Sequence, residues 1–137
     1  MAGDLSTSLQ VSAAGMDAQV ARIKIIAENL ANQNTTGSSP GAEAYRRRTV
    51  TFQNKLDKAL GVETVSVKSV GTDKTEAPMR YDPGNPAANK DGYVKASNVN
   101  SFVELMDMRD AEQSYSANLN VASTTRSMLN RTLDLIK

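Results

Sequence analysis

The sequence predicts an α+β fold in which two long terminal helices enclose a small β-rich insert. Apolar residues recur at alternating spacings of three and four near both ends, as in an amphipathic helix. Between them, short runs of β-branched residues alternate with Gly- and Pro-rich turns. We expect the helices to pair as an antiparallel, coiled-coil-like arm and together form one helical core domain. The expected segments are an N-terminal arm with an Asn-rich joint (1–37), the insert (38–97) and a C-terminal arm (98–137).

The first helix is predicted from about Asp4 to Asn32. Its apolar row is Leu9, Ala13, Met16, Val20, Ile23, Ala27 and Leu30. The stretch 32–37 should end the helix, because Asn and Gly tolerate the left-handed backbone conformation that often follows a helix. Asn29 and Asn32 are expected to satisfy backbone groups that the helix end leaves exposed.

The insert is predicted to contain short strands joined by turns. β-branched residues indicate strands at 49–52 and 64–70, and two more are expected at 79–81 and 93–94. Residues 38–41 read as a loop, and 82–86 and 91–92 carry strong turn sequences. A turn or two of helix is expected within 54–60.

The second helix is predicted to begin at Asn98 or Asn100 and to continue to the end of the sequence. One row is mainly apolar, with the members Met108, Tyr115, Leu119, Ala122, Leu129, Leu133 and Ile136. The neighbouring row is smaller and mildly polar, with the members Ser114, Asn118, Val121, Thr125, Met128, Thr132 and Leu135. A helix with two such rows can be packed on two sides at once.

Composition argues against most chemistry. The 137 residues include no Cys and no His, which excludes thiolate catalysis and the commonest general base and metal ligand. A net charge of +1 argues against nucleic acid as the main partner. For Arg46–Arg48 a subunit contact with carboxylates is favoured over nucleic acid, and a solvated entrance to the strand is the plain alternative. Asp107, Asp110 and Glu112 lie on different faces of a helix and read as solvated. We expect no enzyme activity, cofactor, metal or small-molecule substrate.

The N-terminus lacks a basic region followed by an unbroken apolar stretch, because Asp4 and Asp17 interrupt it. We therefore expect neither a cleaved secretory signal nor a membrane-spanning segment.

Several short motifs resemble those of one known family. ENLAN at 28–32, with Thr35, Thr36 and Gly37, resembles the signature of bacterial flagellar axial proteins. The order of the remaining motifs is similar to that in rod proteins of the flagellar basal body: YRRRTVTF at 45–52, YDPGNP at 81–86, DGYV at 91–94, NV at 98–99, ELMDM at 104–108 and SYSAN at 114–118. The chain departs from the family pattern at Ala44 and at Ala96 and Ser97, all within the insert.

The resemblance implies a structural subunit of the proximal rod, located in the periplasmic part of the basal body. Such proteins polymerise with copies of themselves and related rod proteins into a hollow shaft. The shaft transmits torque from motor to hook and lets exported subunits pass. The flagellar type III export apparatus would be a further partner and would deliver the chain without signal cleavage.

Two groups of residues are predicted to carry this role. Helical packing and subunit contacts are assigned to Leu9, Met16, Val20, Ile23, Leu30, Tyr115, Leu119, Val121, Met128, Leu129, Leu133 and Ile136. The family-motif joint is assigned to Asn29, Leu30, Ala31 and Asn32. Charged substitutions at Leu30 or Leu129 are expected to abolish assembly, whereas Arg47→Ala is expected to be milder.

Other functions remain open on the pattern alone. Heptad rows are equally typical of a helical hairpin packed only within its own chain. The alternative function is a soluble helical coiled-coil adaptor protein that does not polymerise. A cell-wall hydrolase is a third possibility, disfavoured by the lack of His, Cys and a convincing carboxylate pair.

Overall fold

The computed structural model describes residues 2–136, so Met1 and Lys137, which complete the two predicted arms, lie outside the described residues. The elements in chain order are α1 (Ala2–Ala31), β1 (Arg48–Asp57), β2 (Val62–Thr72), β3 (Met79–Tyr81), β4 (Tyr93–Lys95) and α2 (Ser101–Ile136). The strands form two antiparallel sheets of two strands each, β1 with β2 and β3 with β4. The predicted α+β class, with terminal helices and a small β insert, is confirmed.

The first helix ends at Ala31 and is followed by a turn in which the Thr35 N–H donates to the Asn32 carbonyl at 2.9 Å. The backbone N–H of Asn32 and its side-chain Nδ2 both donate to the Glu28 carbonyl, at 3.1 and 2.9 Å. No non-glycine residue among the described residues has a positive φ. Gly37 is not among the glycines with a positive φ either, so the expected left-handed termination is wrong. The Asn32 side chain instead gives the Glu28 carbonyl a second donor beside its backbone partner.

The first sheet is longer than predicted and replaces a predicted helical turn. The expectation of helix within 54–60 is wrong, because residues up to Asp57 belong to β1. The chain then reverses as Asp57 Oδ1 accepts from the N–H groups of Ala59 and Leu60, at 2.9 and 3.3 Å. Gly61 follows with φ 67° and donates to the Asp57 carbonyl at 2.8 Å. Strand pairing and this turn outweigh the local helical preference of the sequence.

The second sheet confirms the predicted short strands to within one residue. It pairs Met79 with Lys95 and Tyr81 with Tyr93, and the two tyrosine rings meet edge to face with centroids 5.3 Å apart. Gly92 precedes β4 with φ 82°, and a Cβ at that position would lie 2.8 Å from the Tyr81 ring. Glycine is therefore required there for both conformation and space.

The second helix begins at one of the two predicted positions. Asn100 Oδ1 accepts from the N–H groups of Phe102 and Val103, at 3.0 and 3.3 Å, so Asn100 is the N-cap of α2. The helix then continues for 36 residues to Ile136.

The described chain divides into two compact units. The first contains residues 2–23, 50–69 and 108–136, and the second contains residues 24–49 and 70–107. In the first unit α1 approaches α2 closely, since a Cβ at Gly15 would lie 2.9 Å from Asn118 Nδ2. The buried helical residues of this unit share small size: Ser12, Gly15, Ala18, Ala111 and Thr125. Small side chains let two helix backbones come close, and the larger apolar side chains of these helices are half-buried or exposed.

Candidate functional site: a polar joint beside the end of the first helix

The second unit contains a cluster of hydrogen-bonded polar side chains, which we call the polar joint. It lies where the end of α1, the start of β1 and the start of α2 meet. Its members are Asn29, Tyr45, Arg47, Arg48, Asn98 and Glu104. All belong to the same compact unit.

Asn29 holds the beginning of β1. Its side chain is almost fully buried, at 1% exposure. Oδ1 accepts from the Arg48 N–H and Nδ2 donates to the Arg48 carbonyl, both at 2.8 Å. The amide thereby pairs with one residue of β1 as a neighbouring strand would. The Tyr45 hydroxyl also donates to Oδ1, at 2.9 Å.

Asn98 holds the backbone of Arg47, the residue before Arg48, in a similar way. Its Oδ1 accepts from the Arg47 N–H at 2.7 Å, while its Nδ2 donates to the carbonyls of Asp73 and Thr75. The Arg47 carbonyl accepts from the Asp73 N–H at 2.8 Å. Every backbone polar group of Arg47 and Arg48 therefore has a partner, which fixes where the strand starts.

Glu104 is the buried charge of the joint, at 0% exposure. One carboxylate oxygen accepts from Asn29 Nδ2 at 3.1 Å, and the other accepts from Arg47 Nε. The Arg47 guanidinium also donates to Asp107 at 3.2 Å and lies 3.9 Å from Asp73. The hydrogen bond to Glu104 raises the pKa of Arg47 above its usual value. A buried carboxylate needs such a cation and extra donors to offset its lost hydration.

The other two arginines of the basic run have carboxylate partners in the same chain. Arg48 pairs with Glu28, and Arg46 pairs with Glu43 at 3.0 Å. Lys95 donates to Glu43 at 2.7 Å, and this bond, followed by that from Arg46, lowers the pKa of Glu43. For these arginines the sequence analysis favoured a contact with carboxylates of a neighbouring subunit. In the structure their carboxylate partners lie within the same compact unit.

The polar joint is suited to holding elements together. Its only buried carboxylate already accepts from a guanidinium and an amide, so it is not poised as a base. Within residues 2–136, no group of three acidic side chains is arranged to hold a metal ion. Over the same range, neither helix is apolar enough along a sufficient length to cross a membrane.

The four residues of the predicted family-motif joint have different surroundings. Asn29 belongs to the polar joint, and the Asn32 side chain donates to the Glu28 carbonyl, which the Asn32 N–H also reaches. Leu30 is half-buried and Ala31 is exposed. The expectation that Asn29 satisfies the helix end is wrong, because its amide bonds to β1 and α2.

The predicted packing residues divide by exposure. Half-buried members are Leu9, Met16, Ile23, Leu30, Tyr115 and Leu129. Exposed members are Val20, Leu119, Val121, Met128, Leu133 and Ile136. Their contact with neighbouring subunits stays a prediction.

Sequence reasoning missed Tyr45, Asn98 and Glu104 as members of a site, and it did not identify the carboxylates that pair with Arg47 and Arg48. One signal was present, since Glu104 interrupts an apolar run from Phe102 to Met106. A second signal was the distribution of charge. Residues 41–97 hold ten basic and seven acidic residues, a net charge of +3. Residues 98–137 hold four basic and five acidic residues, a net charge of −1. Such an imbalance indicates pairing between the segments, but it does not identify the partners.

The Tyr45 hydroxyl makes the joint sensitive to alkaline pH. Burial raises the pKa of Tyr45 above the ordinary value, so the unfolded chain loses this proton first. The stabilisation that the protonated Tyr45 hydroxyl provides is fully present below about pH 10, and it falls as the pH rises through the pKa of Tyr45 in the folded state. Tyr45→Phe should cost about 1 kcal/mol near neutrality. Urea titrations at several pH values should show this difference shrinking above about pH 10; the exposed Tyr81→Phe is the control. A difference that grows with pH would contradict the assignment.

Comparisons with known proteins agree on one family. A family model described as "Flagella basal body rod protein" matches residues 9–37, and one described as "Flagellar basal body rod FlgEFG protein C-terminal" matches residues 90–135. A relative from Agrobacterium fabrum, named flagellar basal-body rod protein FlgC, is 47% identical over 97% of this chain and 96% of its own. Relatives with the same name from Salmonella typhimurium and Bacillus subtilis are 37% and 32% identical, covering 91% and 95% of this chain and 92% and 97% of their own.

Both matched segments include parts of the polar joint, since Asn29 lies in the first and Asn98 and Glu104 lie in the second. With identities of this size over nearly the full length of each relative, the chain belongs to the FlgC family of flagellar basal-body rod proteins.

Proposed function

We propose that this chain is a non-enzymatic structural subunit of the flagellar proximal rod. It polymerises with copies of itself and related rod proteins into a hollow shaft that transmits torque from motor to hook and lets exported subunits pass. Support comes from relatives that are named basal-body rod proteins and align with nearly the whole chain. The observation that carries the proposal is the amount of apolar surface that one chain leaves uncovered.

That apolar surface lies mostly on α2. Each of its members is at least 43% exposed: Phe102, Val103, Leu105, Met106, Leu119, Val121, Met128, Leu133, Leu135 and Ile136. Exposed apolar residues in such numbers are typical of surfaces that are covered by partners. Burying one such side chain contributes about 1.5–3 kcal/mol, so a few contacts per subunit stabilise a polymer.

Within this proposal, the terminal helices form an antiparallel, coiled-coil-like arm that builds the inner tube. The close approach of Gly15 to Asn118 in the first unit supports pairing. Independently, the Asn29–Glu104 hydrogen bond supports it in the second unit. Small residues on the shared face leave the larger apolar residues available to neighbouring subunits. The insert (38–97) then lies outside the arms (1–37 and 98–137).

The route to the rod is the flagellar type III export apparatus, with the chain passing unfolded and without signal cleavage. The destination is the periplasmic part of the basal body. Neither nucleic acid nor a small-molecule substrate has a part in this function.

A charge on the exposed apolar row should separate assembly from folding. Leu119 is 49% exposed, so Leu119→Asp should leave the fold intact while placing a carboxylate in the contact with a neighbour. We expect the variant to be absent from purified basal bodies and the cells to be non-motile. Exposed Asn120 provides the control, because Asn120→Asp adds the same charge on the adjacent position. Wild-type motility with Leu119→Asp would count against the rod assignment. A small oligomer of constant size in concentration-dependent light scattering would favour the adaptor.

A further inference from the structure

The outer face of α2 carries a row of exposed side chains, which we call the outer row. At roughly 3.6 residues per turn, its members lie within a sector of about 80° on the helix. Its large apolar members are each at least 43% exposed. The full row is Val103, Met106, Asp110, Gln113, Ala117, Val121, Thr124, Met128, Arg131 and Leu135.

Two charged side chains of opposite sign interrupt the outer row. Asp110 lies in its first part and Arg131 lies in its last part, 21 residues further along the sequence. Neither forms an ion pair within residues 2–136. The interval equals three heptads, after which a heptad row returns to the same face of a helix. Two parallel copies of the row displaced by this interval therefore bring Asp110 of one against Arg131 of the other.

The charges select this register among those displaced by whole heptads. Without displacement, Asp110 would face the same residue of the second copy, and two like charges repel. A displacement of one or two heptads would set Asp110 against Ala117 or Thr124. It would leave a charge without a partner in a largely apolar contact, which costs free energy. Only the displacement of three heptads pairs the two charges, and it also sets Met106 near Met128.

The charged neighbours of these two residues lie outside the outer row. Arg109 and Glu112 are exposed on other sides of α2 near the acidic member, and Asp134 is exposed near the basic member. Asp4 of α1 lines a small pocket together with Arg131. The complementarity therefore concerns the position of one charge in each half of the row, and not the net charge of the two halves.

We infer that the first part of the outer row contacts the last part of the outer row on a second copy of this chain, with the helices parallel and displaced by about 32 Å. Residues 103–114 of one copy then overlap residues 124–135 of the other. This inference rests on the proposed function and names one of its contacts. An antiparallel pair would join the same two charges, but it is two-fold symmetric and closes at a dimer. The displaced parallel contact leaves a free end on each copy and generates an open assembly.

Disulfide cross-linking tests the contact, since the chain has no Cys of its own. Met106→Cys and Met128→Cys are produced as separate full-length variants and co-expressed in motile cells. We expect a cross-linked dimer of the two variants in purified basal bodies, and none with either variant alone. The control pairs Met106→Cys with Val121→Cys, an exposed member of the same row one heptad earlier. In the proposed register that position lies about 10 Å further away, beyond the reach of a disulfide.

The outcomes separate this register from the rod assignment. Variants that enter basal bodies without cross-linking, or that cross-link equally in the control, overturn the contact. Dimers of Met106→Cys with Leu135→Cys in place of Met128→Cys indicate the antiparallel pair and overturn the parallel one. Cross-linking of Met106→Cys to a different rod protein overturns the choice of a second copy. In all these cases the rod assignment stands, whereas absence of the wild-type chain from basal bodies overturns both.

A charge exchange gives a second, independent readout. Asp110→Arg on the Met106→Cys chain should lower the dimer yield by about two- to fivefold, the effect of losing one exposed ion pair. Adding Arg131→Asp to the Met128→Cys chain should restore the yield. Glu112→Arg is the matched control, because it reverses an exposed acidic residue outside the outer row. A yield that Asp110→Arg leaves unchanged, that Glu112→Arg lowers equally, or that falls further with both exchanges contradicts the proposed arrangement.

Discussion

Arg47→Ala is expected to lower the free energy of unfolding by about 3–5 kcal/mol, because it removes the cation from a fully buried carboxylate. Glu104 would keep the amide of Asn29 but lose the guanidinium that offsets its lost hydration. Asp107 and Asp73 would lose the same partner. Urea unfolding followed by circular dichroism measures the loss. The sequence pattern suggested only that Arg47→Ala affects assembly less than a charged substitution at Leu30 or Leu129.

Two companion variants show whether the buried charge is responsible. Arg46→Ala removes an exposed pair with Glu43 and should cost less than about 1 kcal/mol. Glu104→Gln in the Arg47→Ala background removes the unpaired charge and should recover most of the lost stability. If Arg47→Ala and Arg46→Ala prove equally mild, the polar joint does not stabilise the fold as described.

Asn29→Ala should have the second largest effect, a loss of about 2–4 kcal/mol. The substitution leaves the Arg48 N–H and carbonyl, and the Tyr45 hydroxyl, without their partners. These bonds are only partly buried, so each lost partner costs about 1 kcal/mol, at the low end of the range for buried groups. We also expect fewer copies in basal bodies, because the start of β1 is no longer held. Urea unfolding and quantification of the chain in purified basal bodies measure the two effects.

The matched control for Asn29 lies three residues further along the same motif. Asn32→Ala removes one side-chain hydrogen bond to the Glu28 carbonyl and should cost about 1 kcal/mol. Asn29→Asp is also informative, because it keeps the acceptor for the Arg48 N–H but sets a second carboxylate beside Glu104. Equal effects of Asn29→Ala and Asn32→Ala would show that Asn29 acts only as a helix-end residue.

The elements that sequence reasoning predicted well depend on local signals. Helix periodicity and the Asn100 cap set α2, and the turn residues before Tyr93 set the start of β4. The predicted helical turn within 54–60 was wrong because strand pairing competes with local preference. β1 pairs with β2, and the helical propensity of residues 54–60 contains no information about that pairing.

In the site, too, local contacts could be predicted from the sequence and long-range contacts could not. The motif at 28–32 includes one residue of the polar joint, Asn29, and the bond from Asn32 to Glu28 is local, since the two residues are four apart. Asn29 and Glu104 are 75 residues apart, and Arg47 and Glu104 are 57 apart. Periodicity along one segment carries no information about such partners.

The sequence by itself determined the class of this protein, the extent of its helices and its family, because these follow from periodicity, capping residues and motif order. Only the tertiary structure decided that the fully buried helical residues of the first unit are small while the large apolar ones are half-buried or exposed, and that Glu104 is the buried partner of Arg47. The physical reason is that burial and ion pairing depend on which residues, distant in the sequence, pack against each other. The same heptad pattern is compatible with several such packing arrangements.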